Sequence, residues 1–272
     1  MRQFRIPALC AAVFVLACWG CRPDVQPPAA SSPEEKHRQW LALADAPVEN
    51  LDYSAAVMLG EQLAAEDRLD LIFTTLGDAS ANPKAKLLAV VSLTPLLRPE
   101  MTSQLAALTE SAREATTRAC AAKLLGFIDD DGARARLREL MHDPERRVRV
   151  SAMLMLARAH DASAVEALPT LWADPETNAA ERVELVLSLP DEGSARFEGI
   201  YKDAALDHAL DPEIRMRSVT ALGEIGNPGA AAVLERCAAE DPVPAVREMA
   251  RSAADAIAAR TTNQAAGGAA GG

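Results

Sequence analysis

Apolar positions along this chain recur at helical spacing, and the helical stretches themselves recur. The clearest stretch is residues 143–160, DPERRVRVSAMLMLARAH: an Asp-Pro turn, a Val-Arg pair, then an apolar helix. The same phrase returns at Asp211-Pro212 and Asp241-Pro242, and more loosely around Arg182 and Arg118. With the helix arginine as phase marker, Arg118, Arg149, Arg182, Arg215 and Arg247 are separated by 31, 33, 33 and 32 residues. Leu125, Leu156, Leu189 and Leu222 each follow a marker by two turns on the same helical face. A fixed period of this length overrides the prior from chain length and predicts a stacked array.

The pattern predicts seven two-helix units: 34–44 with 51–66, 69–76 with 83–97, 102–111 with 114–128, 132–142 with 145–159, 161–173 with 178–189, 194–206 with 212–225, and 228–240 with 243–259. In the second unit Lys86 and Leu93 take the marker positions. Asn82-Pro83, Asp143-Pro144, Asp174-Pro175, Asp211-Pro212 and Asp241-Pro242 open marker helices. The side-chain oxygen accepts an orphan first-turn N–H, and Pro at the first helical position lacks an N–H that would be unpaired anyway. These acids are therefore structural first. Gly126, Gly223 and Gly226 sit at or after helix ends, where a positive φ is expected.

The phrase D-x-x-x-V-R-x-x-A-x-x-x-L-G-x-I resembles HEAT repeats, in the short variety found in phycobilisome lyases and many bacterial proteins. The resemblance covers residues 80–259 well and residues 34–79 poorly. It implies an all-α, armadillo-like α-solenoid, a right-handed superhelix with each marker helix on the concave wall. It also implies a hydrogen-bonded ladder between neighbouring repeats, made by the turn Asp and the Arg six residues on. Asp143 with Arg149 and Asp241 with Arg247 match that spacing, whereas Asp211 lies four before Arg215 and Asp174 eight before Arg182. At those two units the ladder is expected to be interrupted or rebuilt.

Ahead of the array, Arg2 and Arg5 precede an apolar run from Ile6 to Ala17 that is too short to span a bilayer and reads as an export signal. Val15-Leu16-Ala17-Cys18 resembles the lipobox of bacterial lipoproteins, which implies cleavage before Cys18 and its lipidation, with Cys21 as fallback. Cys18-Trp-Gly-Cys21 also fits C-x-x-C, but no βαβ context surrounds it to make a redox dithiol. The expected organisation is a signal peptide over 1–17, a Pro-, Ser- and Ala-rich tether over 18–33, the helical array over 34–260 and a disordered Gly/Ala tail over 261–272. The expected address is the bacterial cell envelope, on the membrane through the lipid anchor only.

Composition narrows the function classes. Apolar residues make up 49% of the chain but aromatics only 4%, which suits closely packed helices of small and aliphatic residues. Net charge is −11 and no basic run is interleaved with aromatics, so nucleic acid is not an expected partner. His37, His142, His160 and His208 are scattered over different units, with no H-E-x-x-H and no His-Glu dipeptide. The metal-binding branch that the resemblance brings to mind, deoxyhypusine hydroxylase, uses repeated His-Glu pairs. No metal and no cofactor are therefore expected. Asp129-Asp130-Asp131-Gly132 lacks the alternating acids of an EF-hand loop and reads as a solvated turn. Gly223, Gly226 and Gly229 follow no strand and are not a dinucleotide loop. Cys120 and Cys237 are expected on helices several units apart, beyond the ~7 Å Cα separation of a disulfide, and so remain thiols.

If the marker is position 2 of its helix, positions 3, 7 and 11 point out of the stack. They are Leu87, Val91 and Pro95; Ala119, Lys123 and Phe127; Val150, Leu154 and Arg158; Val183, Leu187 and Asp191; and Met216, Thr220 and Glu224. A mostly apolar exposed surface of this kind marks an interaction site. The expected binding residues are Leu87, Val91, Phe127, Val150, Leu154, Arg158, Val183, Leu187 and Met216, gripping a segment of a protein partner. An angular error of one residue would make the same side chains ordinary core. The function expected is a non-enzymatic protein-binding scaffold. Two alternatives remain at this point: a bilin or tetrapyrrole lyase-like enzyme, or a peptidoglycan- or polysaccharide-binding component using Trp40, Trp172, Tyr53 or Tyr201.

Overall fold

The computed structural model describes residues 32–47, 50–111, 114–190 and 194–269, the backbone alone at 111 and from 263 onward. The expected leader, with Cys18 and Cys21, lies outside the described residues, as does Asp191. Among the described residues the chain is all helical, with no strand. The helices are α1 (Pro33–Ala42), α2 (Tyr53–Ala65), α3 (Asp70–Gly77), α4 (Pro83–Leu93), α5 (Thr102–Ser111), α6 (Ala115–Leu125) and α7 (Asp131–Leu140). There follow α8 (Arg146–Arg158), α9 (Ala162–Ala173), α10 (Ala179–Ser188), α11 (Glu198–Leu206), α12 (Pro212–Ile225), α13 (Pro228–Glu240) and α14 (Pro244–Ala269). In order along the described residues they are the helices of an α-solenoid repeat. None is long and apolar enough to cross a membrane. Helix α14 continues past Arg260 into the stretch assigned to the tail, where alanine, the strongest helix former, recurs.

The chain divides between residues 164 and 165, inside α9, into two packed units. In the N-terminal unit the marker helices α2, α4, α6 and α8 pack in a row. In the C-terminal unit α10, α12 and α14 do the same, backed by α11 and α13. Within each unit, neighbouring marker helices bury apolar faces against one another, as repeat architectures require. The first pair is pinned by a buried polar thread: Trp40 Nε1 donates to Ser92 Oγ at 2.9 Å, and Ser92 Oγ donates to the Ala56 carbonyl at 2.9 Å. Gly60 makes this approach possible, since a Cβ there would stand 2.9 Å from the Ser92 Cβ.

Helix starts follow the side-chain chemistry, with one shift from expectation. Asn82 and Asp211 cap α4 and α12, with Pro at the first turn. Asp143, Asp174 and Asp241 accept the N–H two residues on in the same way, at 2.9, 2.9 and 2.8 Å, but there the helix starts later and the turn closes just ahead of it. Helix α10 therefore begins at a separate cap, Asn178, in a reciprocal capping box with Glu181. The glycines divide by role as well. Only Gly226 takes the left-handed conformation, φ 66°, that ends α12. Gly126 has φ −68°, and is required because a Cβ there would lie 2.3 Å from the Met155 Cβ. Gly223 lies within α12, where its missing side chain lets α14 approach at Ala253.

Candidate binding groove and the inter-repeat ladder

The marker side chains tie successive pairs together. Arg118 on α6 donates Nε and Nη2 to the two Asp143 carboxylate oxygens, both at 2.9 Å. Arg215 on α12 grips Asp241 in the same two-pronged way at 2.8 and 3.0 Å, fully buried, and also donates to the Leu210 carbonyl. The carboxylate thus serves the preceding unit's arginine. The arginine six residues on donates to main chain instead: Arg149 to the Asp143 and Pro144 carbonyls at 2.8 Å each, and Arg247 to the Asp241 carbonyl at 2.7 Å. Asp143 and Asp241 therefore each join two repeats, the carboxylate holding the preceding unit's arginine and the carbonyl that of its own unit.

The pattern tolerates substitution. In the second pair Lys86, almost fully buried, replaces the arginine and donates to Glu114 at 2.6 Å and to Thr117 Oγ1 at 2.7 Å. Glu114 also accepts the Thr116 and Thr117 N–H groups. Arg182 marks the rebuilt unit: it donates to the Thr177 carbonyl at 3.4 Å and lies over the Trp172 ring at 4.9 Å.

Burial alone would raise the carboxyls of Glu114, Asp143 and Asp241. Their cationic partners and the backbone N–H groups outweigh it and hold all three below the usual range, Glu114 down to about 2. Cys120 and Cys237 are buried thiols; burial, together with the nearby Asp241 carboxylate, pushes Cys237 up to about 11.

The expected apolar row does not face solvent. Leu87, Val91, Val150, Leu154 and Val183 are buried, Leu154 completely. Leu87 and Val91 pack with Leu51 and Val57 of the preceding pair, so these positions point along the stack rather than out of it. The physical reason is that marker helices lie side by side, and positions 3 and 7 fall on the flank that touches the neighbour. Leu187 is half-buried. Phe127 and Arg158 do come together, the guanidinium 4.7 Å over the ring, at a recess of about 320 Å³ at the ends of α6 and α8. Arg134 in its wall is neutralised by Asp129 at 2.7 Å and Asp131 at 2.8 Å, while Asp130 caps α7.

Met216 is different. With Thr220, Gly223 and Glu224 it forms one wall of an open groove of about 620 Å³ between α12 and α14. The other wall carries Glu248, Met249, Ser252 and Ala256. Met249 is 38% exposed, one of two large apolar side chains so exposed among the described residues. Its sulfur takes a weak hydrogen bond from Thr220 Oγ1 at 3.6 Å. The groove is well supported underneath. Asp211 caps α12, Gly226 ends it, Arg215 locks it to the turn before α14, and Arg260 reaches back to the Gly223 carbonyl. Sequence reasoning reached Met216, Thr220 and Glu224 but missed the α14 wall. Carrying the same positions one marker further, from Arg247, gives Glu248, Ser252 and Ala256.

The aromatic residues that a sugar site would use are not presented to solvent. Trp40, Trp172 and Tyr201 are buried and Tyr53 is half-buried.

Paired helices packed in rows and joined by turn acids define an all-α helical-repeat protein. Residues 202–255, which hold most of the groove, match the family model described as HEAT repeats. No relative was found among the curated proteins. Among solved structures, the chain is similar to YibA of E. coli, at 16% identity and TM-score 0.46, covering 82% of this chain and 81% of that one. It is also similar to human deoxyhypusine hydroxylase in complex with glycerol, at 20% identity and TM-score 0.37, covering 92% and 95%. Likenesses this weak carry nothing about function.

Proposed function

We propose that this protein is a non-enzymatic scaffold of the bacterial cell envelope that holds a segment of another protein in the groove between α12 and α14. The observation that supports it is the groove itself: Met216 and Met249 offer adaptable apolar surface on two helices fixed by buried ion-pair chemistry. A lipid on Cys18, or on Cys21, would hold the array at the membrane. Firm attachment needs more than one acyl chain.

Two measurements test the two halves. A photo-crosslinking residue at Met249 is expected to give a discrete adduct in intact cells, with none from the same residue at Arg251 on the opposite side of α14. Identical patterns from both positions, or no adduct from either, would end the groove reading. Labelled palmitate is expected to enter the wild-type chain and to be lost from Cys18→Ser. Loss from Cys21→Ser instead moves the anchor, and an unlabelled wild type removes it.

A further inference from the structure

At three joints between neighbouring marker helices, a glycine receives a side chain of the next helix. Gly60 meets Ser92, Gly126 meets Met155 and Gly223 meets Ala253, where an added Cβ would stand 2.9, 2.3 and 3.1 Å from the facing Cβ. Gly126 and Gly223 each lie eight residues after their markers, Arg118 and Arg215. The rest of that flank is apolar on α12: Val219 and Leu222, four and seven residues after Arg215, have no solvent exposure. Carried to Arg247, the same three positions give Arg251, Ala254 and Asp255. Arg251 and Asp255 are exposed, so the far flank of α14 is charged where the covered flank of α12 is apolar.

The ladder's donor is nevertheless kept on that flank. Arg215 gives Nη1 to a carbonyl of the turn before its own helix and its other edge, Nε and Nη2, to Asp241. Arg247 likewise gives Nη1 to the Asp241 carbonyl at 2.7 Å, and among the described residues no carboxylate is bonded to its Nε or Nη2. The same chain carries an acid of the matching kind at the head of its first marker helix. Asp52 is exposed and caps α2 by accepting the Ala55 N–H at 2.8 Å. Glu114 caps α6 in this manner while holding Lys86 of the helix before. Gln62, half-buried, stands ten residues past Asp52, as Ser92 stands ten past the Asn82 cap of α4. Glutamine is about as long as the methionine that Gly126 receives.

We infer that Arg251 and Asp255 bar the far flank of α14 to a second copy of this chain, whose α2 would otherwise dock there and extend the ladder from Arg247 to Asp52. A docking copy has to bury a guanidinium where α12 packs Val219 and a carboxylate where close approach needs Gly223. Burying charge without matched partners is unfavourable. While the flank is open to water the two residues cost little, since opposite charges four residues apart on a helix attract. The bar matters because a head-to-tail contact does not close on itself: each added copy presents the same free ends, and growth runs on as a fibre. Polar outer faces at the ends of a repeat array serve solubility in this way. Occupancy of the groove does not enter, because this flank lies on the opposite side of α14 from Met249.

The test uses the full chain in detergent, with light scattering for the protein mass and circular dichroism for folding. Arg251→Val with Asp255→Gly is expected to assemble, its mass rising with concentration, while wild type keeps the mass of one chain at about ten-fold higher concentration. Should the new glycine loosen α14, Arg251→Val with Asp255→Ala carries the same expectation at higher concentration. Adding Arg247→Lys, which keeps the charge and loses the two-pronged edge, should weaken assembly about ten-fold or more. Asp52→Asn, which keeps the cap and loses the charge, should do the same. The opened chain carrying Asp52→Asn offers only its α14 flank and wild type only its α2, so mixing them should give a one-to-one pair and nothing larger. Opened chains that fold and keep the wild-type mass overturn the inference, as does a wild type that assembles unaided. Assembly indifferent to both Arg247→Lys and Asp52→Asn means general stickiness and overturns it as well.

Discussion

Arg215 and Asp241 are each 2% exposed, so neither charge has water to fall back on. Removing one partner strands the other in the interior, and Arg215→Ala or Asp241→Ala is expected to cost ~3–5 kcal/mol in urea unfolding. Arg215→Met combined with Asp241→Leu should cost less than the sum of the two single losses, because no charge is then left unmatched. Gly126 is the second residue whose identity is imposed by geometry. With Met155 Cβ 2.3 Å from where a new Cβ would stand, Gly126→Ala should destabilise by ~1–3 kcal/mol. Met155→Ala in the same chain should recover part of that loss, and thermal melts of the single and double variants would show it. At this scale the sequence was informative about which residues matter and less so about why. Arg215 and Asp241 were visible as repeat markers, but their partnership across 26 positions required the neighbouring helix. Gly126 does end α6, as its position in the sequence implied, but its φ is −68° and the close approach of Met155, not a left-handed turn, is what demands glycine.

Helix starts carry a pH dependence whose sign is fixed by the lowered carboxyls. Glu114 accepts two backbone N–H groups at the head of α6 and the Lys86 ammonium of α4, all of which favour its ionised form. A carboxyl lowered on folding contributes stability that is fully present above its unfolded value of about 4 and is lost as pH falls through the folded value. For Glu114 that loss is complete only near its folded value of about 2, and Asp143 and Asp241 act in the same direction. The melting temperature should therefore fall steadily on acidification below about pH 4, and Glu114→Gln should flatten the fall while lowering the plateau at neutral pH. A wild-type curve flat down to pH 2 would contradict the capping account. Element positions were largely readable from the 3.6-residue period and the Asx-Pro starts. The angle at which each element faces its neighbour was not, because a period fixes a stripe and only the crossing geometry decides which edge of it is covered. That is why Leu154 and Val183 were placed on a surface and lie in the core.

A stack of pairs passes its stability from neighbour to neighbour, so damage should spread over a short range. Leu154→Ala empties a site with no solvent exposure and should cost ~2–5 kcal/mol. Hydrogen exchange should quicken most in α8 and in α6 beside it, and least in α1 and α2 at the far end of the same row. Uniform acceleration along that row would mean the pairs do not act as separate cooperative elements. The repeat, its period and its all-helical class were legible in the sequence because every unit restates them. The groove was half legible: three of its residues followed from the phase of Arg215, and the opposite wall needed the same phase carried to Arg247.

The buried indoles provide a built-in optical readout. Trp40 sits in the N-terminal unit against Ser92, and Trp172 in the C-terminal one, donating to Asp203 at 3.0 Å beneath Arg182. Emission from each reports its own surroundings. Trp19 is the third emitter, so the comparison is made in a Trp19→Phe chain, where a further Trp172→Phe silences the second lamp while the first stays lit. Comparing the colour shift of the single and double variants during denaturation would follow the melting of the two halves separately, with no dye attached.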